Sequence, residues 1–153
     1  MKKILTAIDF SDMAPAVVRT AAELARTDAA HLWLIHVAAP NPDFVGYETG
    51  PTHMREDRAK TLHREHKTIQ ESAQWLRNAG LDVTPLLVQG PTAETLLNLA
   101  KQHEVDAIVI GSHGHSTIRK WIVGSVAQSI LKHAPCPIVV VPKDQEPFNT
   151  TPC

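Results

Sequence analysis

The stretch LWLIHV, residues 32–37, decides the fold class of this chain. Its residues are apolar almost without a break, so it lacks the alternation of apolar and polar side chains that marks a half-buried strand. A short continuous apolar run is typical of a strand buried on both faces, as strands of parallel sheets are. We therefore expect a parallel sheet whose two faces are both covered by helices.

Similar short apolar runs alternate with helical patterns along the rest of the chain. Further strands are predicted at residues 4–8, 83–88, 107–110 and 136–141. Helices are predicted between the strands, and Pro40 to His53 is predicted to be a loop. The order β-α-β-α-β-α-β-α-β predicts an α/β fold with an open, doubly wound, five-stranded parallel sheet. Pro85 lacks one hydrogen-bond donor, which favours an edge position for the third strand.

Local signals place the ends and the buried faces of the predicted helices. Ser11 is the candidate N-cap of the first helix, and Ser125 to Gln128 has the form of a capping box. The second helix is predicted over about residues 54–78, where a stripe repeats with spacings of three and four. This stripe consists of Ala59, Leu62, His66, Ile69, Ala73 and Leu76. It predicts that His66 lies in the core or in an interface.

Composition limits the classes of partner. The chain has 153 residues, with 15 Lys and Arg against 16 Asp and Glu, a net charge of −1. This balance argues against nonspecific binding to nucleic acid or to an acidic membrane, which needs a large positive field. Two cysteines form no disulfide framework. With no secretory signal or membrane span, we expect a cytoplasmic protein with one domain, residues 1–142, and a polar tail, residues 143–153.

Glycines follow the fourth strand and precede the last helix. Ligands of open α/β sheets bind beyond the carboxyl ends of the strands, where Gly111 and Gly114 allow a sharp turn and close approach of backbone amides to an anion. Gly124 and Ser125 open a helix, whose free N–H groups attract phosphate. Asp9, after the first strand, can accept hydrogen bonds from ribose hydroxyls. These parts suit a nucleotide, although spacing alone leaves open that they are an ordinary turn and an ordinary cap.

The segment Gly111-x2-Gly114-x9-Gly124-Ser125 resembles the nucleotide-binding signature G-2x-G-9x-G-(S/T) of the universal stress protein family. The segments Lys3 to Ser11, Ile35 to Val37 and Cys136 to Val141 are also similar to that family. The resemblance covers Lys2 to about Val141. It implies strand order 3-2-1-4-5, a homodimer, and ATP bound beside strands one and four, with Mg²⁺ or Mn²⁺ bridging the phosphates.

The resemblance also implies residue roles. Carried over by position, the nucleotide contacts are Ala7, Asp9, Val37, Ile110, Gly111, His113, Gly114, Gly124, Ser125 and Val126. The dimer would form by antiparallel pairing of the last strand with its copy, through Ile138, Val139, Val140 and Val141. Such pairing would cover an apolar edge that otherwise invites aggregation.

The leading hypothesis is an ATP-binding stress-response protein that acts as a sensor or regulator. Two alternatives stay open. The first is a slow ATP hydrolase or phosphotransferase, which needs a positioned base, for which His113 and His115 are the candidates. The second is a binding module for AMP or another signalling nucleotide in the same cleft.

Overall fold

Strands and helices alternate in residues 1–38, 52–113 and 123–143, which are the part of the chain described by a computed structural model. The strands are β1 (Lys3–Ala7), β2 (His31–Ala38), β3 (Val83–Gln89), β4 (Ala107–Gly111) and β5 (Ile138–Val141). The helices are α1 (Ala14–Asp28), α2 (Thr52–Asn78), α3 (Thr92–Gln102) and α4 (Ser125–His133). The predicted loop Pro40 to His53 lies largely outside these residues.

The strands form one parallel sheet in the order β3-β2-β1-β4-β5. The predicted fold class and strand order are confirmed. In the centre, Leu5 of β1 pairs with Trp33 of β2 on one side and with Ile108 of β4 on the other. The chain first proceeds outward from β1 to β3 and then returns to place β4 beside β1. Parallel sheets open a cleft at such a reversal, so the topology itself marks the β1–β4 boundary.

Two hydrophobic clusters sandwich the sheet. Helices α1 and α2 bury one face, where Val17, Ala21, Ile69 and Leu76 belong to a single cluster. Helices α3 and α4 bury the other face, with buried side chains that include Leu96, Ala100, Ala127 and Ile130. Because both faces are covered, β2 needs no polar face, which explains the apolar run at residues 32–37.

The predicted stripe on α2 is only half correct. Ile69, Ala73 and Leu76 are fully buried, whereas Ala59 and His66 are exposed. The prediction that His66 lies in the core is therefore wrong in this chain; its ring nitrogen lies 3.4 Å from the side-chain amide of Gln70. The core covers the C-terminal part of this long helix, and periodicity does not show where the covering surface ends.

Both predicted N-caps are also wrong. The N-cap of α1 is Met13, and the Ser11 hydroxyl instead accepts a hydrogen bond from the Met13 N–H at 3.4 Å. The N-cap of α4 is Gly124, not Ser125, and no side chain caps this helix. The Gln128 amide donates to the carbonyl of Val123 at 2.6 Å rather than closing a capping box. The first N–H groups of α4 are thus left without a side-chain cap.

The two edges of the sheet differ. The Asp82 carbonyl and the Gly90 N–H both bond to β2, so even-numbered residues of β3 face inward and Pro85 faces outward. This confirms the edge position that its missing donor predicts. At the other edge, the Pro137 carbonyl accepts from Ile108 of β4, and the Val141 carbonyl accepts from Ser112, the residue after β4. The backbone of Val140 therefore faces away from β4, and β5 keeps its outward donors.

No helix in the described ranges is both long enough and apolar enough to cross a membrane.

Candidate functional site

A cleft of about 310 Å³ opens beyond the carboxyl ends of β1 and β4. Its volume is at the lower end of the range of about 300–1,000 Å³ that is usual for small-molecule sites. Its walls come from β1, β2 and β4 and from the starts of α1, α3 and α4. It therefore lies where the strand order reverses, as the topology requires.

The predicted nucleotide contacts come together in this cleft. Those that the structure describes all line it: Ala7, Asp9, Val37, Ile110, Gly111, His113, Gly124, Ser125 and Val126. Gly114 and His115 lie outside the described residues. These lining residues come from four separate elements or their ends, so their convergence is a product of the fold and not of sequence proximity.

The starts of three helices line the same cleft. Ala14 is the first residue of α1, Thr92 the first of α3, and Ser125 the first of α4. The first N–H groups of a helix have no partner within it, and the N-terminal end carries partial positive charge. The cleft can therefore attract an anion by means of backbone dipoles.

Gly111 and Gly124 are glycines for different reasons. A Cβ on Gly111 would lie 3.2 Å from the carbonyl oxygen of His113 and 3.2 Å from Cε of Met13, so these neighbours would have to move by a few tenths of an ångström. A Cβ on Gly124 would meet nothing closer than 3.5 Å, and its backbone angles suit any residue. The fold therefore restricts position 111 more than position 124, where a Cβ would make only ordinary van der Waals contacts.

Asp9 is held by the turn that leaves β1. Its Oδ1 accepts a hydrogen bond from the Ser11 N–H at 3.0 Å. Asp9 is partly exposed and lines the cleft. A carboxylate anchored in this way can accept hydrogen bonds from hydroxyl groups of a ligand without first being ordered.

A buried histidine, His36, is hydrogen-bonded to the backbone next to this turn. Nδ1 of His36 lies 2.8 Å from the Ile8 carbonyl, so the ring donates from Nδ1. Its Nε2 lies 3.6 Å from Oε1 of Glu65 on α2, and Phe10, with a φ of 58°, places its ring 4.3 Å from the imidazole. No role was predicted for His36 from the sequence. Its polarity inside an otherwise apolar strand was the available signal.

His113 follows β4 and lines the cleft. Its Nδ1 lies 2.9 Å from the hydroxyl of Ser112. Its Nε2 is buried and has no hydrogen-bond partner among the described residues. Buried polar atoms are usually hydrogen-bonded, so this atom is available to a partner such as a ligand in the cleft.

Several lining residues were not predicted from the sequence. They are Ile8, Met13, Ala14, Val17, Thr92, Leu96, Ser112 and Ala127. A parallel α/β fold places the starts of its helices at the carboxyl edge of the sheet. Ala14 and Thr92 could therefore have been found from the predicted helix starts.

The described residues contain no group of three or more His, Cys, Asp or Glu side chains that could hold a metal ion. Cys136 does not line the cleft. Burial raises the pKa of its thiol, which makes it less reactive.

Comparison with known proteins assigns the chain to a family. The sequence model of the Universal stress protein family matches residues 1–142. The chain belongs to the universal stress protein family. Among its relatives, a universal stress protein from Thermus aquaticus is 31% identical over 140 residues, which is 92% of this chain and 98% of the relative.

Solved universal stress proteins share the fold. One from Archaeoglobus fulgidus, in complex with dAMP, is 24% identical, with a TM-score of 0.62, covering 92% of this chain and 97% of its own. Another, in complex with cAMP, is 20% identical, with a TM-score of 0.69, covering 94% and 98%. At these identities the likeness supports the fold of this universal stress protein.

Proposed function

We propose that this universal stress protein binds ATP in the cleft between β1 and β4 and acts in the cytoplasm as a stress-response sensor or regulator. The observation that carries the proposal is the convergence of the described signature residues on one cleft that three helix starts also line. This convergence favours a phosphate-binding role for the signature glycines over the alternative that they only form a turn and a helix cap.

The chemistry of the lining residues fits the parts of ATP. Ala7 and Val37 offer apolar surface for the base, and the Asp9 carboxylate offers an acceptor for ribose hydroxyls. The N–H groups of Ser125 and Val126, in the first turn of α4, offer donors for phosphate oxygens. Mg²⁺ or Mn²⁺ would be held mainly by the phosphates themselves.

The test is isothermal titration of ATP into the wild type and into a Gly124→Ala variant. Because a Cβ at this position meets no close protein atom, we expect the free energy of unfolding to change by less than about 0.5 kcal/mol. We expect the affinity for ATP to fall about ten-fold or more, because the methyl group occupies the space left for phosphate.

The matched control is Ser129→Ala, which introduces alanine on the same helix but outside the cleft. We expect it to bind ATP as the wild type does. The proposal fails if the wild type shows no affinity for ATP at millimolar ligand. It also fails if Gly124→Ala binds ATP as tightly as the wild type.

An AMP-like nucleotide is the second candidate ligand. The observation that favours it is that two proteins of the same fold were solved with cAMP and dAMP. Mass spectrometry of the nucleotide released from freshly purified protein separates the two candidates. ATP in the released fraction supports the leading proposal, and a monophosphate alone replaces it with the second.

We also propose that two copies pair through β5, by Ile138, Val139, Val140 and Val141. Two differences between the edges favour β5. It keeps its outward backbone donors, whereas Pro85 removes one from β3. Its residues are apolar, and an uncovered apolar edge is an aggregation hazard. Pairing with a second copy would give a twofold interface.

A proline at an outward position of β5 tests this dimer. The Val140→Pro change removes a donor that faces away from β4, so we expect the sheet to form while the dimer dissociates. Leu87→Pro is the matched control, because Leu87 is an outward residue of the opposite edge. Analytical ultracentrifugation at micromolar concentration is the measurement. A monomeric wild type, or a Val140→Pro variant that stays dimeric, overturns the proposal.

A further inference from the structure

The backbone of Ser112 is fixed by two other elements. Its N–H donates to the Val141 carbonyl at 2.8 Å, and its carbonyl accepts from the Gly124 N–H at 2.8 Å. The residue is 8% exposed. Its hydroxyl lies 2.9 Å from Nδ1 of His113. The position of this hydroxyl is therefore set by the fold before any ligand binds.

The direction of the Ser112–His113 hydrogen bond follows from the burial of the hydroxyl. Nδ1 of His113 is the one partner of that hydroxyl among the described residues. A buried O–H without an acceptor costs about 1–3 kcal/mol. The hydroxyl therefore donates to Nδ1 when the imidazole is neutral, and the single ring proton then lies on Nε2.

The Nε2–H group of this tautomer lacks a hydrogen-bond acceptor among the described residues. Nε2 is buried without a partner among the described residues, and His113 lines the cleft. An N–H donor attracts an anionic oxygen, whereas the lone pair of the opposite tautomer would repel it. The ring thus complements a phosphate oxygen only in the tautomer that the Ser112 hydroxyl selects.

We propose that Ser112 is a positioning residue that fixes the tautomer of His113, so that Nε2–H donates to a phosphate oxygen of the nucleotide. This inference rests on the proposed function and deepens it. In this tautomer His113 can contribute to nucleotide binding but not to hydrolysis. A ring that already carries its proton on the ligand side cannot take a proton from an attacking water there.

The first test is nitrogen NMR of the imidazoles in the nucleotide-free protein at about pH 8, where histidines are mostly neutral. Comparison with His113→Gln assigns the signal of His113. We expect the Nε2–H form in the wild type and a mixture of both forms in Ser112→Ala. A wild type in the Nδ1–H form overturns the inference, whether or not nucleotide binds.

The second test is the nucleotide affinity of the Ser112→Ala variant. At about pH 8, we expect Ser112→Ala to bind ATP about five- to ten-fold more weakly than the wild type.

Two controls exclude a merely structural effect. Thr6→Val removes another buried hydroxyl, which does not line the cleft, and should leave affinity unchanged. In a His113→Gln background the side-chain amide supplies a donor that needs no tautomer, so adding Ser112→Ala should change affinity by less than about two-fold. If the wild type binds ATP and Ser112→Ala weakens binding equally in the wild-type and His113→Gln backgrounds, this inference fails while the proposed function stands. If the wild type binds no nucleotide, the proposed function fails, and the NMR result still decides the tautomer.

Discussion

At the scale of single residues, one mismatch between side chain and backbone lies at the end of α1. Ala29 has φ and ψ of 51° and 44°, the left-handed conformation that glycine adopts without penalty. It is exposed, so its methyl group contributes little packing. The left-handed conformation of Ala29 is therefore sterically unfavourable, and no packing of its methyl group offsets this strain.

We expect Ala29→Gly to raise the free energy of unfolding by about 1 kcal/mol, because it removes the steric cost of the left-handed conformation. Urea denaturation of both proteins measures the change. Ala59→Gly makes the same chemical change at an exposed position inside α2. There we expect a loss of about 1 kcal/mol, since glycine is disfavoured within helices. The same sign at both positions would contradict this explanation.

The role of a residue was predictable where the backbone conformation restricts the residue type. It was less predictable where a side chain has several possible hydrogen-bond partners. A Cβ at Gly111 would be tightly packed, and its place at the end of a strand pointed to such a need. The caps at Ser11 and Ser125 were predicted wrongly. A serine before a helix has several acceptors and donors within reach, and three-dimensional geometry decides among them. The roles of the cleft residues toward a nucleotide stay predictions.

At the scale of elements, Asp106 joins the start of β1 to the start of β4. Its Oδ2 accepts from the backbone N–H groups of Lys2 and Lys3 at 2.6 and 2.9 Å. These two hydrogen bonds lower the pKa of Asp106. The central strand pair is thus clamped at the end opposite the cleft by a carboxylate that must be ionised.

A carboxyl group whose pKa is lower in the folded state stabilises the protein above its unfolded pKa, and this contribution is lost as pH falls through the folded pKa. We therefore expect wild type to melt at a higher temperature than Asp106→Asn at about pH 7 and the difference to shrink below about pH 4. Thermal melts across this range are the measurement. Glu23→Gln, at an exposed site on α1, should show a small difference at every pH. A constant difference for Asp106→Asn would contradict the explanation.

The elements themselves were largely predictable from periodicity. Short apolar runs flanked by helical patterns leave few topologies, and each predicted strand is present with ends that differ by at most two residues. The exposed half of α2 was not predictable in the same way. Alternation along one helix shows which face is apolar, but burial depends on how far the neighbouring sheet extends.

At the scale of the whole molecule, the fold class followed from the alternation, and the strand order was implied by the family resemblance. The order fixes where the cleft opens, because β1 and β4 are neighbours with diverging connections. What binds in the cleft does not follow from the fold, since one architecture serves many ligands. The size and charge of the ligand that the cleft accepts depend on side chains and backbone amides that come together only when the chain folds.

The backbone of Ser112 connects the cleft to the edge strand β5. Its N–H bonds to the last residue of β5, and its carbonyl bonds to the N-cap of α4. One residue therefore touches both the cleft wall and the strand proposed for pairing. If occupancy of the cleft shifts self-association, thermodynamic linkage requires self-association to shift nucleotide affinity by the same factor.

We expect the dissociation constant for ATP to vary with protein concentration in the wild type and to be constant in Val140→Pro, as titrations at several protein concentrations would measure. An invariant constant in both proteins would mean that the two equilibria are independent. With linkage, the nucleotide-bound fraction would depend on how much of the protein a cell contains. The chain would then report its own abundance as well as the nucleotide level.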